Sequence, residues 1–116
     1  MATVLYKDKF LYINFINKPD NNQVYNFQKS VENTSYLNVD VTVVFDTTKI
    51  INIPSVNICY KYAKILHKMK NFVDNHVLKA IILYNNDTVI KLIKNVVLKM
   101  FPTKVPLEYI KQTNNK

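Results

Sequence analysis

The order of apolar and polar residues along the chain predicts strands that alternate with helices. Two β-prone runs, 2–6 and 10–15, flank the polar residues 7–9 and predict an N-terminal hairpin. Pro106 lies in a late apolar run and places that run at a sheet edge, or makes its start irregular, because proline donates no ladder hydrogen bond. The strands predicted after the hairpin cover 39–46, 78–84 and 105–110.

Between the strands, apolar residues recur three or four positions apart, which predicts three helices. The first covers about 19 to 34, the second runs from 54 to about 74, and the third extends from a cap at Asn86 to Pro102. The second helix is amphipathic, and its predicted buried stripe contains Cys59, Tyr62, Ala63, Leu66, Met69 and Val73. The stripe predicted for the third contains Val89, Ile93, Val96, Val97 and Met100.

This element order predicts an α/β fold with a single-layer mixed, mainly parallel sheet, an N-terminal β-hairpin and three helices. Residues 43–45 are apolar on both faces of their strand. We therefore expect a central strand covered by helices on both faces, or by a helix on one face and a loop on the other. No linker or internal repeat divides the chain, so we predict one domain over 1–116 with a flexible tail at 111–116.

The composition excludes many kinds of catalytic site. The chain has no glycine, and phosphate loops, dinucleotide fingerprints and nucleophile elbows all need its backbone freedom. Cys59 is a lone cysteine, and with His67 and His76 it completes no zinc set. We expect a non-enzymatic protein without cofactor or metal. Without a spanning apolar run or a signal-peptide core, it is expected to be intracellular and cytoplasmic, or associated with a virion.

The stretch 43–50, Val-Val-Phe-Asp-Thr-Thr-Lys-Ile, followed by a long helix, resembles the STAS domains of sulfate transporters and anti-sigma-factor antagonists. Such domains have an opening hairpin, then a strand that ends in Asp, a short connection and a long helix. The later stretch 81–86, the helix after it and the segment 102–106 also resemble the second half of small stand-alone members. The resemblance implies a STAS-like fold.

The resemblance also implies a candidate switch position. Bacterial members are phosphorylation-switched partners of kinases and carry an Asp-Ser-Ser-Gly turn where the long helix starts. The corresponding residues 53–56 are Ile-Pro-Ser-Val, which keep one serine and lose the Asp and the Gly. Ser55 is therefore the candidate acceptor. We predict that it is unmodified and satisfies local backbone groups.

Asp46 is a second candidate, because ligands bind at the carboxyl ends of strands in open α/β sheets. We favour a turn Asp that caps Thr48 or Lys49, since no carboxylate or histidine lies close in sequence to complete an acid/base pair. Cys59 is expected to be a small buried hydrophobe.

All 16 basic residues are lysines, and the net charge is +8. A basic surface for phosphates or an acidic partner is one interpretation, and a solvated helix face is the one we favour. Arginine is absent, and Lys, Asn and Ile have A/T-rich codons, as expected of a large DNA virus or an AT-rich eukaryote. The candidate basic residues are Lys61, Lys64, Lys68, Lys91 and Lys94.

Eight Tyr and six Phe are many for this length, and they either form an interface or cover the core with their hydroxyls in water. Taken with the charge, the sequence predicts a protein-protein interaction or assembly module, with a protein partner or a homo-oligomer. The alternative is a basic nucleic-acid-associated protein that uses its Lys-rich helix faces.

Overall fold

The computed structural model describes residues 3–7, 9–15, 20–36, 39–53, 55–101 and 103–112, with only the backbone for 3–7. The strands are β1 (Thr3–Lys7), β2 (Phe10–Asn14), β3 (Val41–Asp46), β4 (Val77–Tyr84) and β5 (Leu107–Lys111). The helices are α1 (Asn21–Ser35), α2 (Val56–Lys68), α3 (Lys70–His76), α4 (Asp87–Leu92) and α5 (Leu98–Met100). A π-helical turn, Ile93–Val97, joins α4 to α5.

The five strands form one sheet in which the spatial order is the chain order. β1 and β2 are antiparallel, and every other neighbouring pair is parallel. This confirms the predicted α/β class, the mainly parallel sheet and the N-terminal hairpin. β5 lies at an edge, as Pro106 predicted, and the Pro106 carbonyl accepts a hydrogen bond from Ala80 N–H at 2.9 Å.

The helices cover one face of the sheet. Crossovers between parallel strands are right-handed, and here each crossover advances by one strand in the same direction. The connecting helices must therefore lie on the same face, and α2 does contact α1 on one side and the π-helical turn on the other. In the described part of the chain no helix packs on the opposite face, which we call the open face. β3 is central as predicted, but it has helices on one side only.

The core lies between the helix layer and the sheet. Leu11, Ile13 and Val43 point from the sheet into this layer and are buried. Phe27 of α1 is 1% exposed and packs against the rings of Phe45 and Tyr62. The inward residues of the strands thus meet the apolar stripes of the helices, as the two periodicities predicted.

Two of the three predicted helices are less regular than expected. The long helix is two helices, because Met69, with φ −97° and ψ 20°, leaves the helical region between α2 and α3. In the third predicted helix, the π-helical turn contains one residue more than an α-helical turn, so the side chains after it are rotated about the helix axis. Leu98 therefore faces the core, whereas Met100, predicted to be buried, is exposed.

Two segments at the edges of the sheet, the hairpin turn and the end of β5, differ from what the sequence predicts. Lys9 has φ 69° in the hairpin turn, a left-handed conformation that costs a non-glycine residue about 1 kcal/mol. At the other edge, the flexible tail was predicted to start at residue 111, but the sheet continues past that residue. Lys111 belongs to β5, and Gln112 N–H donates to the Tyr84 carbonyl at 2.6 Å, so both residues are held by the sheet. Residues 113–116 lie outside the described residues.

Candidate interaction surfaces and the core cavity

The described side chains of the open face come from alternate residues of β2, β3, β4 and β5. Strand pairing places Tyr12, Val44 and Ile81 side by side in one row across its centre. Aliphatic and aromatic side chains form a diagonal band across the face, and the polar side chains flank this band on both sides. The described members of the face are Phe10, Tyr12, Asn14, Thr42, Val44, Asp46, Lys79, Ile81, Leu83, Glu108 and Ile110.

Aromatic rings lie at one side of this band. Phe10 and Tyr12 are 37% and 36% exposed, and their rings stack with centroids 5.8 Å apart. The two residues lie two positions apart in β2 and therefore share a face of the strand. Exposed aromatic rings beside aliphatic residues are typical of protein interfaces.

The open face carries little charge compared with the whole chain. Lys79 and Glu108 form an ion pair on adjacent strands, and Asp46 supplies the other charge among the described side chains of this face. The described side chains of this face therefore carry one more negative than positive charge, although the protein has a net charge of +8. The helix layer, by contrast, holds Lys29, Lys61, Lys64, Lys68, Lys70, Lys91, Lys94 and Lys99.

Asp46 is engaged in the turn that follows β3. Its Oδ1 accepts hydrogen bonds from Thr48 N–H at 2.9 Å and from Thr48 Oγ1 at 2.6 Å. This is the Asx-turn geometry expected from the sequence. Among the described residues, no three His, Cys, Asp or Glu side chains gather to hold a metal ion. His76 instead pairs with Asp40, with 3.1 Å between Nδ1 and Oδ1.

Ser55 is the N-cap of α2. Its hydroxyl oxygen accepts a hydrogen bond from Ile58 N–H at 3.2 Å, and its backbone is extended, as an N-cap requires. The side chain is exposed. The predicted role in satisfying local backbone groups is therefore present in the structure.

Ser55→Ala should lower the free energy of unfolding by about 1 kcal/mol, because Ile58 N–H loses its acceptor. Ser55→Asp should leave stability close to that of the wild type, since Asp is an equally good N-cap and favours the positive end of the helix dipole. Urea titration followed by circular dichroism measures both. Asn57→Ala, an exposed change two residues later, is the control. A Ser55→Ala loss no larger than the control's would contradict the capping role.

The candidate basic residues do not form one free patch. Lys61 Nζ donates to Asn21 Oδ1 at 2.6 Å, Lys64 lies over the Tyr60 ring at 5.5 Å, and Lys94 lies 4.5 Å from the Tyr109 ring centroid. Lys68 and Lys91 are exposed on different helices. Lys64 and Lys68 do share a shallow groove of about 390 Å³ with Tyr60, Ala63, His67 and Met100.

A cavity of about 160 Å³ lies inside the core, between the helix layer and the sheet. Its walls come from the inward faces of the sheet, from α1, α2 and α3, and from the segment around the π-helical turn. Filling such a volume with side chains would be worth about 4 kcal/mol at the usual cost of a buried void. The sequence does not predict this space, because it is left between residues of separate elements.

Tyr62 is among the residues that line the cavity, and its environment is unusual. Its ring packs edge-on against Phe15 and Phe27, with centroids 5.6 and 5.2 Å away. Its hydroxyl oxygen is buried and has no hydrogen-bond partner among the described residues. Burial, and secondly the charge of Asp20, raise the pKa of Tyr62 well above its usual value. Burial also raises the pKa of the Cys59 thiol, which lines the same cavity.

No protein-family model matches this chain, and no curated protein matches it either. None of the helices in the described ranges is both long and apolar enough to cross a membrane. Three features of the molecule bear on its function, which are the open face, the groove between α2 and α5, and the core cavity.

Proposed function

We propose that the protein is a non-enzymatic assembly module that self-associates through the open face of its sheet. The observation that carries the proposal is the one-sided helix layer, because no described helix covers the other face of the sheet. On that face the rings of Phe10 and Tyr12 are exposed, whereas Val44 at the centre of the band is 7% exposed. A contiguous apolar patch at the surface of a small protein is typical of an interaction site. The resemblance to STAS domains supports the proposal, because bacterial STAS proteins act by binding protein partners.

Charge favours a second copy of the chain as the occupant. Two molecules with a net charge of +8 repel each other wherever their lysine-rich surfaces meet. The open face holds only Asp46 and the Lys79–Glu108 pair among its described charges. Association through this face brings the least positive surfaces together and keeps the basic helix layers on the outside.

The geometry of the face fits a twofold stack of sheets. Two sheets that pack face to face lie about 10 Å apart, so the dimer would have four layers, with helices outside and sheets inside. Five strands of about five residues span about 24 by 17 Å, or about 400 Å² of planar area for each copy. This is smaller than a standard stable interface, so we expect a dissociation constant of about 10 to 100 µM.

Sedimentation velocity from a few micromolar to the millimolar range tests the proposal. The wild type should pass from monomer to dimer within this range. Ile81→Lys should shift the midpoint at least about 30-fold upward, because a lysine at the centre of the band would have to lose its hydration. Ile51→Lys makes the same chemical change at a position that is 73% exposed and outside the face, and it should dimerise like the wild type.

Equal association of the two variants, or a wild type that stays monomeric at 1 mM, would refute self-association through this face. Circular dichroism checks that both variants fold.

Salt separates this proposal from the alternative of nucleic-acid binding. Added salt screens the repulsion between the two positive copies, so dimerisation through the open face should strengthen or stay constant. Binding of a polyanion through lysines should instead weaken steeply with salt, because condensed counterions are released. Three of the five candidate lysines already contact protein groups, which favours self-association.

A further inference from the structure

The core cavity is large enough to hold a small molecule. A dry apolar cavity of about 150 Å³, made by a core truncation in another protein, binds benzene. The cavity here measures about 160 Å³. We propose that it is a binding site for one small hydrocarbon of about the size of benzene or toluene, without any polar group.

The wall of the cavity is apolar throughout. No polar atom of the described residues is exposed at its surface, although two threonines and a tyrosine belong to the lining. Thr47 Oγ1 donates to the Leu83 carbonyl at 2.8 Å, and Thr103 Oγ1 accepts from Val105 N–H at 3.1 Å. Tyr62 contributes its ring to the wall, whereas its hydroxyl oxygen is closed off from the cavity.

This wall selects against polar ligands and against water. A hydroxyl, amine or carboxylate group in the cavity would lose its hydrogen bonds to water and gain none from the protein. A buried water molecule needs about two to four polar partners, and the wall offers none among the described residues. A hydrocarbon therefore enters without having to displace tightly held water.

Both layers of the fold would contact the ligand. Leu11, Val43 and Ala80 line the cavity from the sheet, and Phe27 and Leu66 line it from the helix layer. Side-chain atoms that face a void lack contact partners on that side, and a hydrocarbon restores these dispersion contacts. A ligand that binds only the folded state in this way also raises its stability by mass action.

The π-helical turn is an independent observation at the same place. Leu98 N–H bonds the carbonyl of Ile93, five residues earlier, in a segment that forms one wall of the cavity. Lys94, Asn95 and Lys99 of the same segment are exposed, so the thickness of one helix separates the cavity from water here. Single π-helical turns are rare and occur frequently at functional sites. Such a turn fits a wall that borders a ligand.

Titration of the full chain with toluene and with phenol, followed by the NMR signals of its methyl groups, tests the site. The two probes have nearly the same shape, and a hydroxyl group in phenol replaces the methyl group of toluene. Toluene should bind at millimolar concentration or below. Phenol should bind at least about tenfold more weakly, because its hydroxyl loses its hydrogen bonds to water.

Nuclear Overhauser effects locate the bound toluene in the wild type itself. Cross-peaks from toluene protons should reach the methyl groups of Val43, which points inward from the sheet, and of Leu98, which lies in the opposite layer. This measurement needs no variant.

Ala80→Leu adds carbon atoms to the wall and should abolish toluene binding. Asn57→Leu is the matched control, since it introduces the same side chain at an exposed position of α2 outside the lining, and it should bind toluene like the wild type. Ile81→Lys changes the open face and should also bind toluene normally, so the test is independent of self-association. Circular dichroism checks that the variants fold, and the cross-peaks of the wild type decide if Ala80→Leu does not.

Four results would each overturn the inference. These are no saturable binding of toluene by the wild type, cross-peaks from toluene only to residues outside the cavity, phenol binding as tight as toluene binding, and equal toluene binding by folded Ala80→Leu and Asn57→Leu.

Discussion

Phe27→Ala should lower the free energy of unfolding by about 3 to 5 kcal/mol. Phe27 is 1% exposed, and its ring packs against Phe45 and Tyr62, with centroids 6.4 and 5.2 Å away. The side chain also lines the core cavity, so its removal would enlarge a space that the core already fails to fill. Urea unfolding followed by tyrosine fluorescence and circular dichroism measures the effect.

Tyr25→Ala is the matched control for Phe27→Ala. It removes a ring two positions earlier in α1, where the side chain is 59% exposed and lies beside Lys29. Its cost should stay below about 1 kcal/mol, as usual for exposed positions. Similar losses in the two variants would mean that the aromatic cluster around Phe27 is not the centre of the core.

Alkaline pH should destabilise the wild type, and Tyr62→Phe should remove a large part of that effect. Burial raises the pKa of Tyr62 in the folded state above its ordinary value of 10.0. The folded protein therefore holds this proton more tightly than the unfolded chain does. The resulting stability is fully present below pH 10 and is lost as the pH rises from there through the folded-state pKa.

The measurement is the free energy of unfolding between pH 7 and 12 for the wild type, Tyr62→Phe and Tyr60→Phe. At pH 7, Tyr62→Phe should be as stable as the wild type or more stable, because it removes a buried hydroxyl without a partner in the described chain. Above pH 10 its curve should fall less steeply, whereas the exposed Tyr60→Phe should follow the wild type. The raised pKa of Cys59 also lowers stability at alkaline pH, and this effect is the same in all three proteins. Parallel curves for the first two proteins would contradict the prediction.

The sequence was sufficient to predict the elements because their patterns are local. Alternation over 39–46 and helical spacing over Cys59, Ala63 and Leu66 each require one element to bury one face. The positions of Asp46 in a turn and Ser55 at a helix start were predictable for the same reason, since each side chain bonds a backbone group two or three residues away.

Features that depend on several elements were not predictable in this way. The pattern at 43–45 is apolar on both faces of β3, but it does not tell whether helices cover the second face, which depends on strand order and crossover hand. The π-helical turn was hidden because residues 96–98 are three consecutive apolar residues, so Val96 and Leu98 were equally plausible core residues. The cavity, and a Tyr62 hydroxyl without a partner among the described residues, result from packing between elements distant in sequence.

The strands lie in the sheet in the same order as in the chain, and this order affects how the protein can fold during its synthesis. A ribosome releases the N-terminal residues first, and each later strand can join the free edge of the strands already formed without inserting between them. The chain closed at each step contains only the helices between two consecutive strands, such as α2 and α3 between β3 and β4, which keeps the entropy cost of each addition moderate. Until β5 emerges, the growing edge is the apolar strand β4, and that interval is when a nascent chain would most need a chaperone.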